Sequence, residues 1–257
     1  MAARPTVLVT RPAHQAETFC RLLDEAGFEP LRCPTVDIAP VEKSPLLCAQ
    51  LEELKSADIA VFTSANAVHF AQLLRPLSEA LHPHADVLAV GPATAKALES
   101  CGVKAKLPQR EYSSQGLMLL PELKNVAGKS VFVVRGVGGL PTLPDALNAA
   151  GAQLQLLECY KRQLPANASL LKQLFHTELP QIISSTSNES LSNLVTLASV
   201  EERPRLWQLP LIVNSERGEH LARSLGFSAD ILRASPVGDH GQISTLKAWI
   251  TQRLTQR

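Results

Sequence analysis

The sequence predicts an α/β fold written twice, and three observations carry that prediction. A strand ending in arginine, Thr6-Val-Leu-Val-Thr-Arg11, returns half a chain later as Ser130-Val-Phe-Val-Val-Arg135. Helices closed by glycine recur at the same spacing, Ala26-Gly27 with Ala150-Gly151 and Cys101-Gly102 with Leu225-Gly226, while Thr63-Ser64 meets Thr186-Ser187 within one residue of that register. Short apolar runs rich in Val and Ile alternate with helical patterns throughout, which is the mark of parallel strands joined by crossover helices. Spacing that holds over half a chain implies two copies of one fold. Two like lobes frame a cleft, the usual place for a small molecule.

Taken in order, strands are expected near Thr6–Val9, Phe28–Cys33, Ile59–Phe62, Asp86–Val90 and Val103–Leu107 in the first copy. The second copy repeats them near Val131–Val134, Gln153–Glu158, Gln181–Ser184, Leu211–Val213 and Ala229–Leu232. Helical periodicity covers His14–Ala26, Pro45–Lys55, Ala67–Leu74, Thr94–Cys101, Leu143–Ala150, Leu170–His176, Ser190–Leu197, Gly218–Leu225 and Ile243–Leu254. Gly27, Gly102, Gly151 and Gly226 each follow a helix, where a left-handed residue is wanted and glycine adopts it at least cost. Five strands per copy with helices on both faces predict two flavodoxin-like lobes, each a parallel five-stranded sheet.

A chain of 257 residues suits two domains of common size, and its 45% hydrophobic content is enough to fill two cores. A net charge of +1 and 4% aromatic residues speak against nucleic-acid binding, which needs a basic field or stacking platforms. The five cysteines are scattered without a C-x-x-C pair, as reduced intracellular thiols are. No apolar stretch approaches the ~20 residues that cross a bilayer, and the N-terminus carries no apolar signal core. The sequence therefore predicts a soluble, cytoplasmic protein with no membrane contact.

In open α/β sheets, ligands lie beyond the carboxyl ends of the strands. The turns there are Arg11-Pro12, Thr63-Ser64-Ala65-Asn66, Gly91-Pro92-Ala93-Thr94, Arg135-Gly136-Val137-Gly138-Gly139, Thr186-Ser187-Asn188 and Asn214-Ser215-Glu216-Arg217. Each precedes a helix, so free backbone N–H groups and the positive helix end suit an anion. Two readings stay open for each hydroxyl: an ordinary N-cap, or a ligand contact. Arg11 and Arg135 end matched strands and can pair either with carboxylates of a ligand or with acidic neighbours. The glycines Gly136, Gly138 and Gly139 invite a dinucleotide reading, with Glu158 near the place of a ribose-binding acid, but the third glycine of the fingerprint falls on Pro141 and the duplicate turn has none. The seven histidines form no metal set, and the minimal parts of zinc hydrolases, α/β-hydrolases and P-loop enzymes are missing. Tyr160, in Glu158-Cys-Tyr-Lys-Arg162, is either packing at a lobe junction or a phenol donor facing the cleft.

Taken together these residues resemble the uroporphyrinogen-III synthase family along the whole chain. The pieces are Val9-Thr10-Arg11-Pro12, Pro34-x-x-x-Ile38, Phe62-Thr63-Ser64 with Ala67-Val68, Val90-Gly91-x-Ala93-Thr94-Ala95, Arg135-Gly136-x-Gly138-Gly139, Tyr160-x-Arg162, Thr186-Ser187, Ser215-x-Arg217 and Ser235-Pro236. Where the family pattern continues the Gly-Gly turn with arginine this chain has Leu140, and where Ser-Pro-Thr is common it has Ser235-Pro236-Val237. Those departures point to binding through backbone at both places. The resemblance implies cofactor-free conversion of hydroxymethylbilane to uroporphyrinogen III, with loss of water and inversion of ring D, by a monomer with no metal. It leaves room for a transient contact with the enzyme that makes that substrate.

The resemblance also shapes the expected domains. Pro-marked segments after the second strand of each copy, Pro34 to Pro45 and Lys161 to Pro165, are where the chain would cross. Lobe 1 is then 1–36 with 164–257, lobe 2 is 39–160, and a two-stranded connector runs near 33–40 and 158–165. The substrate-binding set expected from turns and resemblance is Arg11, Thr63, Ser64, Thr94, Arg135, Gly136, Gly138, Gly139, Thr186, Ser187, Ser215 and Arg217, with Tyr160 as the general acid. A two-lobed binding protein or sensor for an anionic metabolite, closing without turnover, is the alternative that the same features would serve.

Overall fold

The computed structural model describes residues 4–166, 169–177 and 180–255. Its strands are β1 (Thr6–Val9), β2 (Glu29–Arg32), β3 (Asp37–Pro40), β4 (Ile59–Phe62), β5 (Asp86–Ala89), β6 (Ser130–Gly136), β7 (Gln153–Gln163), β8 (Ile182–Ser184), β9 (Leu211–Val213) and β10 (Ile231–Arg233). Its helices are α1 (Ala13–Glu25), α2 (Pro45–Glu53), α3 (Ala65–Leu74), α4 (Leu77–Ala80), α5 (Pro92–Ser100), α6 (Ser114–Met118), α7 (Thr142–Ala149), α8 (Ser169–Thr177), α9 (Asn188–Leu197), α10 (Arg203–Trp207), α11 (Glu216–Ser224) and α12 (Asp239–Thr255). The chain divides into two compact units, unit 1 up to Asp37 and again from Gln163, and unit 2 from Ile38 to Arg162.

Unit 1 holds a five-stranded sheet in the order β10-β9-β8-β1-β2. The pairings β1–β2, β1–β8, β8–β9 and β9–β10 are all parallel, with Val7 and Leu8 opposite Ile182 and Ile183. In β1 successive side chains go to opposite faces. Val7 and Val9 join Phe19 and Leu23 of α1 and Leu246 of α12, whereas Leu8 joins Phe175 of α8, Leu191 and Leu194 of α9 and Ala222 of α11. Both faces are covered, so the strand reads as an unbroken apolar run rather than an alternation.

Unit 2 holds the order β3-β7-β6-β4-β5. Ile59, Val61, Val131 and Val133 line one face, against Leu117 of α6 and Leu143 and Leu147 of α7. On the other, α3 packs against β6 and α5. The expected strand at Val103–Leu107 is a correction. It shrinks to a single bridge between Lys106 and Leu88, in which Lys106 bonds the backbone of Val87 and Ala89. Its flanking Lys104 and Ala105 are not buried, and Pro108 cannot extend a ladder. The fifth place in this sheet is taken at the opposite edge by β3, where the sequence suggested only a connector.

The four glycines that follow α1, α5, α7 and α11 have φ of 89, 76, 80 and 104°, as their positions required. Between α5 and β6 the short α6 lies outside the expected elements, and so do α4 and α10 in their own segments.

Buried thiols give the fold an alkaline limit. Burial pushes Cys33 and Cys159 up to about 12 from the ordinary 9.0. An acid whose pKa is raised by folding stays neutral in the native state while the unfolded chain ionises, so stability falls as pH rises from 9.0 toward 12. Urea unfolding at about pH 8 and about pH 10 is expected to show this loss in the wild type and a smaller one in a Cys33→Ala, Cys159→Ala variant. An equal pH dependence in the two proteins would show that these thiols are not the cause.

Candidate active site

Every serine expected at a helix start is used there. The Ser64, Ser187 and Ser215 hydroxyls accept the third-residue N–H of α3, α9 and α11 at 3.0, 3.1 and 3.1 Å. What distinguishes the turns is what else their atoms meet.

In unit 2 the ends of β4, β6 and β7 enclose a cavity of ≈ 360 Å³. Seven of the expected residues line it: Thr63, Ser64, Arg135, Gly136, Gly138, Gly139 and Tyr160. They meet because β6 and β7 part company at this end. The register runs Arg135 opposite Glu158 and then Gly136 opposite Tyr160, so Cys159 is an extra residue, a β-bulge. The bulge sends two successive side chains to α3. The Cys159 thiol lies 3.4 Å from the Ala67 carbonyl, and the Tyr160 ring stacks on Phe70 with centroids 5.6 Å apart. The Tyr160 hydroxyl then stands 3.1 Å from the Ser64 hydroxyl, and the residue is 7% exposed.

The glycine turn is shaped around two side chains. A Cβ on Gly136 would sit 2.6 Å from Cζ of Tyr160, and one on Gly139 would sit 2.5 Å from a terminal nitrogen of Arg135. Gly138 has φ of 70°, which disfavours other residues. Arg135 is 6% exposed. Its Nε donates to the Gly136 carbonyl at 3.3 Å, one terminal nitrogen donates to the Leu140 carbonyl at 3.2 Å, and Glu158 supplies the counter-charge at 3.6 Å. The Val137 N–H donates to the Tyr160 carbonyl at 2.8 Å, tying the turn to β7. Leu140 is itself 78% exposed, and its carbonyl does the structural work.

Other expected residues lie elsewhere. Thr94 is buried in the first turn of α5 and does not line the cavity. Thr63 lines it with its hydroxyl donating to the Val134 carbonyl at 3.2 Å. In unit 1, Thr186, Ser187 and Ser215 border a recess of only ≈ 10 Å³, about the space of one water. Beneath it, buried Gln242 accepts from Ser184 at 2.6 Å and donates to Asn214 at 2.8 Å. Arg217 is exposed and does not border the recess. Arg11 pairs with Asp239 at 2.5 Å and lies over the Phe19 ring at 4.2 Å.

The expected binding set left out Ser114, Leu143, Pro144 and Arg162, all of which line the cavity of unit 2, although Arg162 stood in the Tyr160-x-Arg162 piece of the resemblance. For Arg162 a signal existed, since it stands two residues beyond Tyr160 and strand periodicity puts such residues on one face. Ser114 sits at the start of an unexpected one-turn helix and gave none. Among the described residues no group of three or more His, Cys, Asp or Glu is placed to hold a metal, and no helix is long and apolar enough to cross a membrane.

Comparison with known proteins decides the family. The family model described as "Uroporphyrinogen-III synthase HemD" matches residues 17–240. This chain belongs to the uroporphyrinogen-III synthase family. It is 33% identical over 226 residues to the uroporphyrinogen-III synthase of Escherichia coli, covering 86% of this chain and 92% of that one. The Salmonella typhimurium enzyme of the same name is 32% identical over the same shares. In structure the chain is similar to a mutant uroporphyrinogen III synthase from Thermus thermophilus, at a TM-score of 0.61 and 18% identity, covering 98% of this chain and 100% of that one. That likeness bears on the two-sheet α/β fold alone.

The packing around the bulge makes a direct prediction. Gly136→Ala forces a methyl against a Tyr160 ring that Phe70 backs, and overpacking of this kind costs ~1–3 kcal/mol. Urea unfolding is expected to show that loss together with reduced turnover. A variant as stable and active as the wild type would mean that Tyr160 does not pack on the turn as described.

Proposed function

We propose that the cavity of unit 2 holds the reacting end of hydroxymethylbilane, with Tyr160 as proton donor to its departing hydroxyl. As a member of its family the protein is a cyclising hydro-lyase of tetrapyrrole biosynthesis, forming uroporphyrinogen III from that bilane with loss of water and inversion of ring D. The observation that carries the site assignment is the 3.1 Å contact between the Tyr160 and Ser64 hydroxyls at the cavity wall. The Ser64 oxygen already accepts the Ala67 N–H, so its own proton is available to Tyr160. In that arrangement the phenol proton is left for a substrate oxygen, and the positive end of α3 lies beside the pair.

Size and composition support the reading. At ≈ 360 Å³ the cavity lies toward the lower end of small-molecule sites, ~300–1,000 Å³, which is room for part of a linear tetrapyrrole. Val133, Leu143 and Pro144 give it an apolar wall for a pyrrole ring, and the glycine turn offers backbone at its rim. The chemistry asks for little more than position. Bilane closure without inversion proceeds unaided, as the resemblance implies, so the enzyme's task is to hold the last ring for attack at its substituted carbon. This reading gives the reaction no metal or organic cofactor.

The test is incubation with freshly made hydroxymethylbilane, after exhaustive dialysis against chelator, followed by oxidation and separation of type I and type III porphyrins. Type III product is expected. Tyr160→Phe keeps the stacking on Phe70, and a positioned acid contributes ~10²–10⁴ in rate. Because this leaving group departs readily in water, the loss is expected at or below the lower end of that range, with type III still the main product. Binding of the bilane without turnover would identify the alternative, a sensor, and wild-type turnover in Tyr160→Phe would remove Tyr160 from the chemistry.

A further inference from the structure

Four hydroxyls line the cavity of unit 2, those of Thr63, Ser64, Ser114 and Tyr160. Three of them are engaged by the protein. Thr63 donates to the Val134 carbonyl at 3.2 Å, and Ser64 meets both the Ala67 N–H and the Tyr160 hydroxyl. The Ser114 hydroxyl makes no hydrogen bond to any described residue. Its segment is nevertheless built firmly. The Ser113 hydroxyl accepts the Gly116 N–H at 3.1 Å and donates to the Glu111 carboxylate at 2.6 Å. A Cβ on Gly116 would lie 1.8 Å from the Glu111 carbonyl oxygen, and one on Gly91 would lie 3.2 Å from the Tyr112 Cβ, so the chain is closely packed on both sides of Ser114. Leu117, three residues on, is buried in one cluster with Val133 and Leu143. A hydroxyl fixed by its neighbours and left without a bond suits a ligand that supplies the missing partner.

We propose that Ser114 accepts the pyrrole N–H of the bilane ring whose hydroxyl departs. The proposal rests on the reading of the cavity as the bilane site. A pyrrole ring that leaves water to lie against Val133, Leu143 and Pro144 brings one N–H donor with it, and a donor left unpaired there is costly. Among the other polar side chains of the lining, guanidiniums can only donate, Thr63 is turned to Val134, and Ser64 and Tyr160 serve one another and the leaving hydroxyl. α6 packs on the face of the sheet opposite to α3, so Ser114 approaches the cavity from one side and Tyr160, stacked on Phe70, from the other. A flat ring between them offers its hydroxymethyl oxygen to Tyr160 and its N–H to Ser114. The second contact gains strength as the bond breaks. When the phenol proton passes to the leaving oxygen, water departs with the carbon–oxygen bonding pair, and the electron pair of the ring nitrogen closes an exocyclic double bond. The nitrogen thereby gains positive charge, and its N–H becomes a stronger donor. The proton lost when the attacking pyrrole regains its aromaticity restores the phenol.

Formation of type III product from hydroxymethylbilane, followed in single turnover and at steady state on the wild type, Ser114→Ala, Ser114→Thr and Ser113→Ala, tests the assignment beside thermal unfolding of each. Ser114→Ala is expected to lower the single-turnover rate at saturating bilane roughly five- to tenfold, the size of one lost hydrogen bond. Its KM changes less than that rate, because the contact is strongest in the transition state. Its melting temperature stays at the wild-type value, since the hydroxyl bonds nothing described within the protein. Ser114→Thr keeps the hydroxyl and most of the rate. Ser113→Ala removes the cap of α6 and lowers the melting temperature, which is the signature of a structural role. That same signature in Ser114→Ala would overturn the proposal, and so would a wild-type rate. A raised KM at unchanged rate would also overturn it, because the hydroxyl would then be meeting a carboxylate, whose charge does not change in the reaction. A wild-type protein that forms no type III product is a different result, which sinks the reading of function whatever the variants do.

Discussion

Burial of both faces of each parallel sheet is the constraint on which the rest of the structure depends. Strands such as β4, with all four residues buried, leave no face on which polar chemistry could be displayed. Helices cover both sides, and the two edges are short. What remains is the end of the sheet, where each strand gives way to a helix and backbone N–H groups have no partner within the helix. Capping serines occupy those ends in both units. The chemistry of the site must therefore be built from turns, from the last residue of a strand, and from whatever irregularity lets a side chain turn toward them.

That irregularity is the bulge in β7. Without the extra residue at Cys159, Tyr160 would continue the alternation set by Glu158 instead of stacking on Phe70 of α3. One inserted residue thus brings the phenol to Ser64, requires glycine at position 136 to admit its ring, and ties the turn to β7 through the Val137 N–H. Arg135 closes the same arrangement from the other side. Its burial looks expensive, yet every part of the guanidinium that is described has work: two carbonyls, one carboxylate and the bare edge of Gly139.

Much of the fold was legible because long-range order leaves local traces. β1, β4 and β9 lie where short apolar runs announced strands buried on both faces. The four helix-ending glycines were legible for the same reason, each being the cheap solution to a backbone problem. Short elements were not. α4, α6 and α10 have four or five residues each, too few for a helical period to repeat, and β3 carries two prolines in its approach and end, Pro34 and Pro40, that read as connector. Val103–Leu107 failed in the opposite way, having a strand's composition but no more than one bonded residue. At the site, the turns could be found by their place in the topology, whereas the partners of Arg135, the stacking of Tyr160 and the reach of Arg162 depend on a bulge that no residue pattern marks.

Leu140 carries a consequence of its own. Its side chain is mostly in water, and its carbonyl holds the buried guanidinium. A position that works through its main chain sets no requirement on the atoms that distinguish one amino acid from another, so residue 140 can drift through apolar, polar or charged identities while the turn keeps its shape. The arginine that the resemblance implies at this place and the leucine found here would present the same carbonyl. Motifs written in side chains lose sight of such a position, even where it helps to fix the geometry of the site.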